Sequence, residues 1–267
     1  MRVALLQYSI AWADKETNLR MAEERIAALA GKADVAVLPE MFATGFCTDH
    51  PELAETMDGE IMTTLQRLSD QYEIAIVSSF ICVPDNRYPI SDVRVKLVNR
   101  GFMVVPHGEV QIQDKRHLYA HGGEDLFFQP AHERHIFEYK GVKILLLVCY
   151  DLRFPVWARN QSGYDYDILL VVANWPDIRI HYWDALIAAR ATENQCYIAA
   201  VNCVGEDGMN LHYNGHSVAY DTRLQPIVSF TDNEEGTKIA DFDIAKLHHF
   251  RQVLPLWKDA DTFEIKI

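Results

Sequence analysis

Three short segments of this chain are apolar at nearly every position, and they constrain the fold more than any other feature. They are ILLLV at 144–148, ILLVVA at 168–173 and YIAAV at 197–201. Continuous apolar runs of this length are typical of strands buried on both faces, as in parallel sheets that are covered by helices. The sequence therefore predicts a layered α/β fold.

The first third of the chain alternates strand and helix patterns. RVALLQYSI and VAVLPE are strand-like, and the helix predicted between them ends at Gly31 and has one apolar face, at Leu19, Ala22, Ile26 and Leu29. A second amphipathic helix precedes the strand IAIVSSFICV and is marked by Ile61, Leu65, Leu68 and Tyr72. This βαβαβ order predicts parallel strands joined by helical crossovers.

The later segments predict a mixed sheet. VRVKLVN, FMVVP and EVQIQ, within 93–113, read as three short strands separated by turns, and HSVAYD and PIVSF read as a late hairpin before the strand TKIADFD. Helices are expected around 156–160, 181–195 and 244–253. Since neither a repeat nor a low-complexity linker marks a boundary, we expect one domain over residues 1–267.

The charge balance narrows the range of partners. The formal net charge is −13. Nucleic acids and anionic membrane surfaces both call for a basic face, so we expect neither as a partner. Small molecules are the expected partners.

The sequence also indicates a compartment. Residues 1–10 read directly as a strand rather than as a signal peptide, and no uncharged apolar run reaches the roughly 18 residues that a membrane span needs. The five cysteines are odd in number and include no CxxC pair, so neither a disulfide framework nor a cysteine zinc site is indicated. We expect a reducing cytoplasm.

Two reactive side chains follow predicted buried strands. Cys149 comes directly after ILLLV, where a sharp strand-to-helix turn would lift a nucleophile towards free backbone N–H groups. The alternative is a small hydrophobe that ends a buried strand. Glu40 follows VAVLP, where apolar walls suit a carboxylate to general-base work, and an ion pair in a loop is its alternative.

Lys115 lies in DKRHLY, after the strand EVQIQ. A run of basic residues of this kind also fits a solvated loop. Metal binding is not indicated, because the histidine pairs lack a third ligand; these pairs are His117/His121, His132/His135 and His248/His249.

Five motifs in order give a family resemblance. They are PEMFATGF (39–46), DKRHLY (114–119), CYDLRFPVW (149–157), ANWP (173–176) and LIAARATENQCYIAAVN (186–202). Together they resemble the carbon-nitrogen hydrolase (nitrilase) superfamily, and within it the ω-amidase branch with its bacterial 2-oxoglutaramate amidases. The resemblance covers nearly the whole chain.

The resemblance implies a four-layer αββα sandwich with mixed sheets and a homodimer or larger homo-oligomer. It also implies a catalytic set of Glu40, Lys115 and Cys149, which needs no cofactor. Members often add a second glutamate, which by position is Glu124, although Asp125 and Glu133 lie close in sequence.

A substrate pocket is expected around these residues. Arg153, four residues after Cys149, would hold a substrate carboxylate, with an ion pair to Asp151 as the alternative. Aromatic residues would form apolar walls, unless they belong to the core; they are Phe42, Phe46, Tyr150 and Trp175. One departure from the family is that Thr222 and Leu224 stand where a proline and a glycine are common, so we expect the late hairpin to bend differently.

The function that follows is hydrolysis of the terminal amide of a small dicarboxylic acid monoamide, such as 2-oxoglutaramate, through a cysteinyl thioester. A nitrilase or an N-carbamoyl amino acid amidohydrolase would use the same three residues. A catalytically silent binding protein and a zinc hydrolase are the alternatives from other classes.

Overall fold

Two six-stranded mixed sheets form the centre of the molecule in a computed structural model that describes residues 1–84, 96–161 and 163–265. The first sheet contains β1 (Arg2–Gln7), β2 (Val35–Val37), β3 (Ala75–Cys82), β4 (Val98–Val104), β5 (Gln111–Asp114) and β14 (Gly236–Asp241). Its spatial order is β14-β1-β2-β3-β4-β5. The pairs β1–β2 and β2–β3 are parallel, and the other pairs are antiparallel.

The second sheet has the same mixture of pairings. It contains β6 (Phe137–Tyr139), β7 (Val142–Val148), β8 (Ile168–Ala173), β9 (Tyr197–Asn202), β12 (Val218–Tyr220) and β13 (Pro226–Ser229). The order is β13-β12-β9-β8-β7-β6, with β7, β8 and β9 parallel. A separate two-stranded ribbon is formed by β10 (Val204–Glu206) and β11 (His212–Asn214).

Helices α1 (Lys15–Ala27) and α2 (Glu60–Tyr72) pack on the outer face of the first sheet, and α5 (Ile180–Asn194) and α6 (Ile244–Val253) pack against the second. Two short helices, α3 (Glu124–Phe127) and α4 (Pro155–Ala158), lie in the connections. Asp14 caps α1 by accepting a hydrogen bond from the Thr17 N–H, and Asp243 caps α6 in the same way. In the part of the chain that the structure describes, no helix is long and apolar enough to cross a membrane.

Alternate residues of the strands supply two different cores. Val3 and Leu5 of β1 belong to the core that lies between the sheets, whereas Ala4 and Leu6 belong to the core beneath α1 and α2. Both faces of inner strands such as β3, β8 and β9 are buried, as the apolar runs predicted. The four-layer αββα sandwich with mixed sheets is confirmed.

Strand β4 differs from the prediction. FMVVP was expected to be a strand of its own, separated by a turn from VRVKLVN, but β4 continues from one segment to the other through Gly101 without a break. A Cβ there would lie 2.6 Å from the Gln113 carbonyl oxygen and 2.8 Å from Leu146 Cδ2 of the facing sheet. The glycine thus allows close packing rather than a turn. Residues 93–95 of the predicted strand lie outside the described residues.

Smaller differences concern ends and turns. Helix α1 ends at Ala27, before Gly31, which has a φ of +70° in the following turn. Strands β6, β10 and β11, of three residues each, were not predicted. In the late hairpin, Leu224 adopts a φ of +59°, so the turn keeps a left-handed residue despite the missing glycine. Asp221 supports it by accepting hydrogen bonds from the N–H groups of Arg223 and Gln225.

Candidate active site

Four polar residues follow strands that end at one edge of the sandwich. Glu40 and Lys115 come after β2 and β5 of the first sheet, and Cys149 and Asn174 come after β7 and β8 of the second. Glu40 and Lys115 are within 1% of complete burial, and the other two are less than a tenth exposed. Both sheets therefore contribute to one buried polar cluster.

Cys149 occupies a strained turn. Its φ of +47° lies in the left-handed region, which a non-glycine residue rarely adopts, and the chain passes directly from β7 into a 3₁₀ segment, Cys149–Arg153. The thiol Sγ lies 3.9 Å from the Asn174 carbonyl oxygen. Burial and the negative charge of Glu40 raise the pKa of the Cys149 thiol well above its ordinary value, and the charge of Lys115 opposes this only in part. The free protein therefore holds a neutral thiol.

Lys115 is enclosed by two carboxylates. Its Nζ lies 2.9 Å from Glu40 Oε1 and 3.0 and 2.9 Å from the two carboxylate oxygens of Glu124. Burial acts against its positive charge, but the carboxylates of Glu124 and Glu40 outweigh burial and raise the pKa of Lys115. The ammonium group therefore stays charged, and the solvated-loop alternative does not describe this residue.

Glu124 is the glutamate that the fold brings to Lys115. It starts the short helix α3, after Gly123 at a φ of +74°, and its Oε2 also accepts the Tyr119 N–H at 2.6 Å. Burial and the charge of Glu40 raise the pKa of Glu124, against the opposing effect of Lys115. The sequence neighbours Asp125 and Glu133 are exposed, so neither joins the cluster.

Two asparagines complete the cluster, and neither was predicted from the sequence to have a role in it. Asn99 of β4 donates through Nδ2 to Glu40 at 2.8 Å and to Glu124 at 3.1 Å. Asn174 donates its backbone N–H to Glu40 Oε2 at 3.0 Å and its Nδ2 to the Glu40 carbonyl oxygen at 2.7 Å. The position of Asn174 at the end of an apolar strand was a usable signal, whereas Asn99 has no such signal within VRVKLVN.

The carboxylate of Asp151 accepts hydrogen bonds from His117, in the segment 114–119 that contains Lys115, and not from Arg153. Its Oδ1 accepts both the backbone N–H and the ring Nδ1 of His117, each at 2.8 Å. The His117 ring also stacks on Phe154, with centroids 3.7 Å apart. The predicted alternative for Arg153, an ion pair with Asp151, is therefore not formed.

A cavity of about 60 Å³ opens beside the Cys149 thiol. Four of the predicted substrate-binding residues line it, namely Phe46, Tyr150, Arg153 and Trp175. The Arg153 guanidinium lies 5.0 Å from the Trp175 ring centroid and 4.9 Å from that of Tyr182. Asn174, Tyr119, Arg179 and Tyr213 line the cavity as well.

Phe42 is placed differently from the expectation. Its side chain is fully buried in the core beneath α1 and α2, where its ring meets that of Phe102 edge to face at 6.4 Å between centroids. The chain turns at Met41, which has a φ of +46°, and the side chain of the next residue, Phe42, lies in the core. Phe42 is thus a packing residue that does not line the cavity.

The histidine pairs do not build a metal site in the structure. Across the described ranges, no group of three His, Cys, Asp or Glu side chains is arranged to hold a metal ion.

Comparison with known proteins places this chain in a family. The sequence model of the family described as carbon-nitrogen hydrolase matches residues 2–252. The chain therefore belongs to the carbon-nitrogen hydrolase family, and the resemblance inferred from the five motifs is confirmed.

Individual relatives are similar over nearly their whole length. This chain is 38% identical to the omega-amidase YafV of Escherichia coli K12 over 266 residues, which cover 99% of this chain and 98% of that protein. It is 31% identical to a 2-oxoglutaramate amidase of Bacillus subtilis over 259 residues, 96% of each chain.

A solved structure shows the same fold. XC1258 from Xanthomonas campestris, a CN-hydrolase superfamily protein with an arsenic adduct in its active site, superposes on this chain with a TM-score of 0.93 at 36% identity. The superposition covers 100% of this chain and 99% of that one.

Proposed function

We propose that this protein hydrolyses the terminal amide of a small dicarboxylic acid monoamide, such as 2-oxoglutaramate, to the acid and ammonia. One observation carries the proposal: the buried pair of Glu40 and Lys115 lies next to Cys149, which lines a small cavity. The similarity to an omega-amidase and a 2-oxoglutaramate amidase over nearly the whole chain supports the choice of substrate.

The first half of the reaction forms a thioester. Because the Cys149 thiol is neutral at rest, Glu40 would accept its proton as Sγ attacks the amide carbon. The negative charge that develops on the carbonyl oxygen would be stabilised by the Lys115 ammonium and by the backbone N–H of Tyr150. Glu40 then returns the proton to the amide nitrogen, the C–N bond breaks, and ammonia leaves.

The second half regenerates the enzyme. Glu40 would take a proton from a water molecule, whose oxygen attacks the thioester carbon. The C–S bond breaks, the sulfur recovers the proton, and the acid product leaves. One water is consumed and one ammonia is released for each amide, with no change in oxidation state, so these steps require no cofactor.

The remaining polar residues would hold the reacting groups in place. Asn99 and Asn174 fix both oxygens of Glu40, and Glu124 fixes the ammonium of Lys115 opposite them. A carboxylate held on two sides cannot rotate away from the thiol, which preserves the geometry of proton transfer.

Arg153 would bind the carboxylate at the far end of the substrate. It lines the cavity, and its planar cation lies among the rings of Tyr150, Trp175 and Tyr182. A guanidinium binds a carboxylate in a bidentate pair. The cavity has room for on the order of five water molecules, which suits a short substrate rather than a polymer.

We extend the proposal to the protein as a whole. The family match over residues 2–252 supports one catalytic domain. All five cysteines are free and buried, which suits a reducing cytoplasm. We propose a homodimer or larger homo-oligomer on the family resemblance alone.

The test is ammonia release by the purified protein from 2-oxoglutaramate and succinamate, with Cys149→Ala as the control. We expect turnover of both amides by the native protein and none by the variant. A nitrile and an N-carbamoyl amino acid are assayed in parallel. Turnover of only these two compounds would support the thioester mechanism but contradict the proposed amide substrate. No turnover of any compound would contradict the proposal that the protein is an enzyme of this kind.

A further inference from the structure

Arg179 is a second cation that faces the cavity, and no sequence motif predicted a role for it. It ends the 3₁₀ segment Asp177–Arg179, shortly after β8, and its carbonyl oxygen accepts the indole N–H of Trp175 at 2.9 Å. Its guanidinium lies 5.4 Å from the ring centroid of Tyr119. The Arg179 side chain therefore extends from the end of a strand of the second sheet towards Tyr119, in the segment that contains Lys115. Arg179, Tyr119 and Cys149 all line the cavity.

Neither cavity arginine is neutralised by a protein acid. In the ranges that the structure describes, no aspartate or glutamate forms an ion pair with Arg153 or Arg179, and no aspartate or glutamate lines the cavity. Asp177, the acid nearest to Arg179 in sequence, lies 3.0 Å from His212 instead. Two positive charges therefore face the cavity without a negative charge beside them.

Other buried or partly buried arginines in the described chain have acceptors for their side-chain N–H groups. Arg134, Arg190 and Arg251 form close pairs with Asp165, Glu193 and Asp167. Arg116 and Arg159 donate instead to backbone carbonyl oxygens. Withdrawing a guanidinium from water without an acceptor is unfavourable, so arginines in such positions normally have partners. Within the described chain, the side-chain N–H donors of Arg153 and Arg179 have none, and they face a cavity that a ligand can enter.

We infer that Arg179 acts with Arg153 to select substrates that carry a carboxylate at the end opposite the amide. The inference rests on the proposed amidase function and adds a specificity residue to it. The two guanidinium groups offer more donors than one carboxylate can accept, so a further oxygen next to the carboxylate, such as a 2-oxo group, would use the remainder. A neutral amide of the same length would leave both cations unpaired.

The test compares two amides of equal length that differ in charge, succinamate and butyramide. In Arg179→Gln, we expect the KM for succinamate to rise roughly 10–100-fold with a smaller change in kcat, because a charge-assisted hydrogen bond is lost. The ratio of kcat/KM for succinamate to kcat/KM for butyramide should therefore fall, and Arg179→Lys should keep part of the affinity for succinamate. Arg20→Gln removes the same charge from the exposed surface of α1 and should behave as the native protein.

A binding measurement keeps the inference testable without turnover. Calorimetry with succinamate on Cys149→Ala, with and without Arg179→Gln, should show the same loss of affinity. An unchanged dissociation constant, or an equal loss of activity on both amides, would overturn the role of Arg179 while leaving the amidase function intact. Failure of the native protein to hydrolyse succinamate and 2-oxoglutaramate would instead overturn the proposed function itself.

Discussion

At the scale of single residues, the cluster places more negative than positive charge in a buried site. Lys115 carries one positive charge, while Glu40 and Glu124 both contact it and Asn99 bridges the two carboxylates. Burial of an excess carboxylate favours its protonated form, and this is why the pKa of Glu124 is raised. A site of this kind is maintained at a cost in folding free energy.

The variant Glu124→Gln tests both the cost of the buried carboxylate in folding free energy and its contribution to activity. A carboxyl group with a raised pKa binds its proton more tightly in the folded state, so its contribution to stability is present at low pH and is lost as the pH rises from the ordinary carboxyl pKa through the folded one. We expect the melting temperature of the native protein to fall relative to that of the variant over this range, while the variant loses at least about tenfold in kcat.

Melting curves from pH 4 to pH 8, with amidase assays on the same samples, check this expectation. Asp125→Asn is the matched control, since Asp125 is exposed and adjacent in sequence. A native protein that gains stability relative to Glu124→Gln as the pH rises would contradict the assigned direction of the pKa shift.

At the scale of elements, the strands and helices predicted correctly are those with a local apolar pattern in the sequence. The strand before Cys149 and the helix at 244–253 were found where the apolar patterns placed them, because burial imposes those patterns directly. The merging of two predicted strands at Gly101 was missed, since the reason for that glycine lies in the facing sheet. Asn99 was missed for the same reason, because its partners Glu40 and Glu124 are distant in sequence.

Gly101→Ala tests the close packing of the two sheets. The added methyl group would meet the Gln113 carbonyl oxygen at 2.6 Å and Leu146 Cδ2 at 2.8 Å, so β4 or its neighbours must shift. We expect a loss of about 1–3 kcal/mol in the free energy of unfolding, measured by urea denaturation. Gly236→Ala in β14 is the matched control, because its nearest atom would be 3.8 Å away, and it should change stability by less than about 0.5 kcal/mol. Equal effects of the two substitutions would contradict the packing argument.

At the scale of the whole molecule, the site exists only where the two sheets face each other. Glu40 and Lys115 follow strands of one sheet, and Cys149 and Asn174 follow strands of the other, so the relative position of the sheets sets the distances between the Glu40 carboxylate, the Lys115 ammonium and the Cys149 thiol. The net charge of −13 would repel an anionic amide from most of the surface, whereas Arg153 and Arg179 make the cavity locally positive. Sheet packing and local charge together would let an acidic protein admit the proposed anionic substrate.

Substitutions at two buried leucines can distinguish the effect of sheet packing on activity from the effect of a general loss of stability. Leu146 of β7 lies in the core between the sheets, and Leu65 of α2 lies in the core beneath the helices. Replacing either by alanine should lower the free energy of unfolding by about 2–5 kcal/mol, because each leaves a cavity in a dry core. Only Leu146→Ala should also lower kcat/KM, by about tenfold or more, at a temperature where both variants are fully folded. The reason is that small displacements of catalytic groups are costly to rate. Urea denaturation and amidase kinetics on both variants provide the measurement, and equal kcat/KM values would show that the site tolerates movement between the sheets.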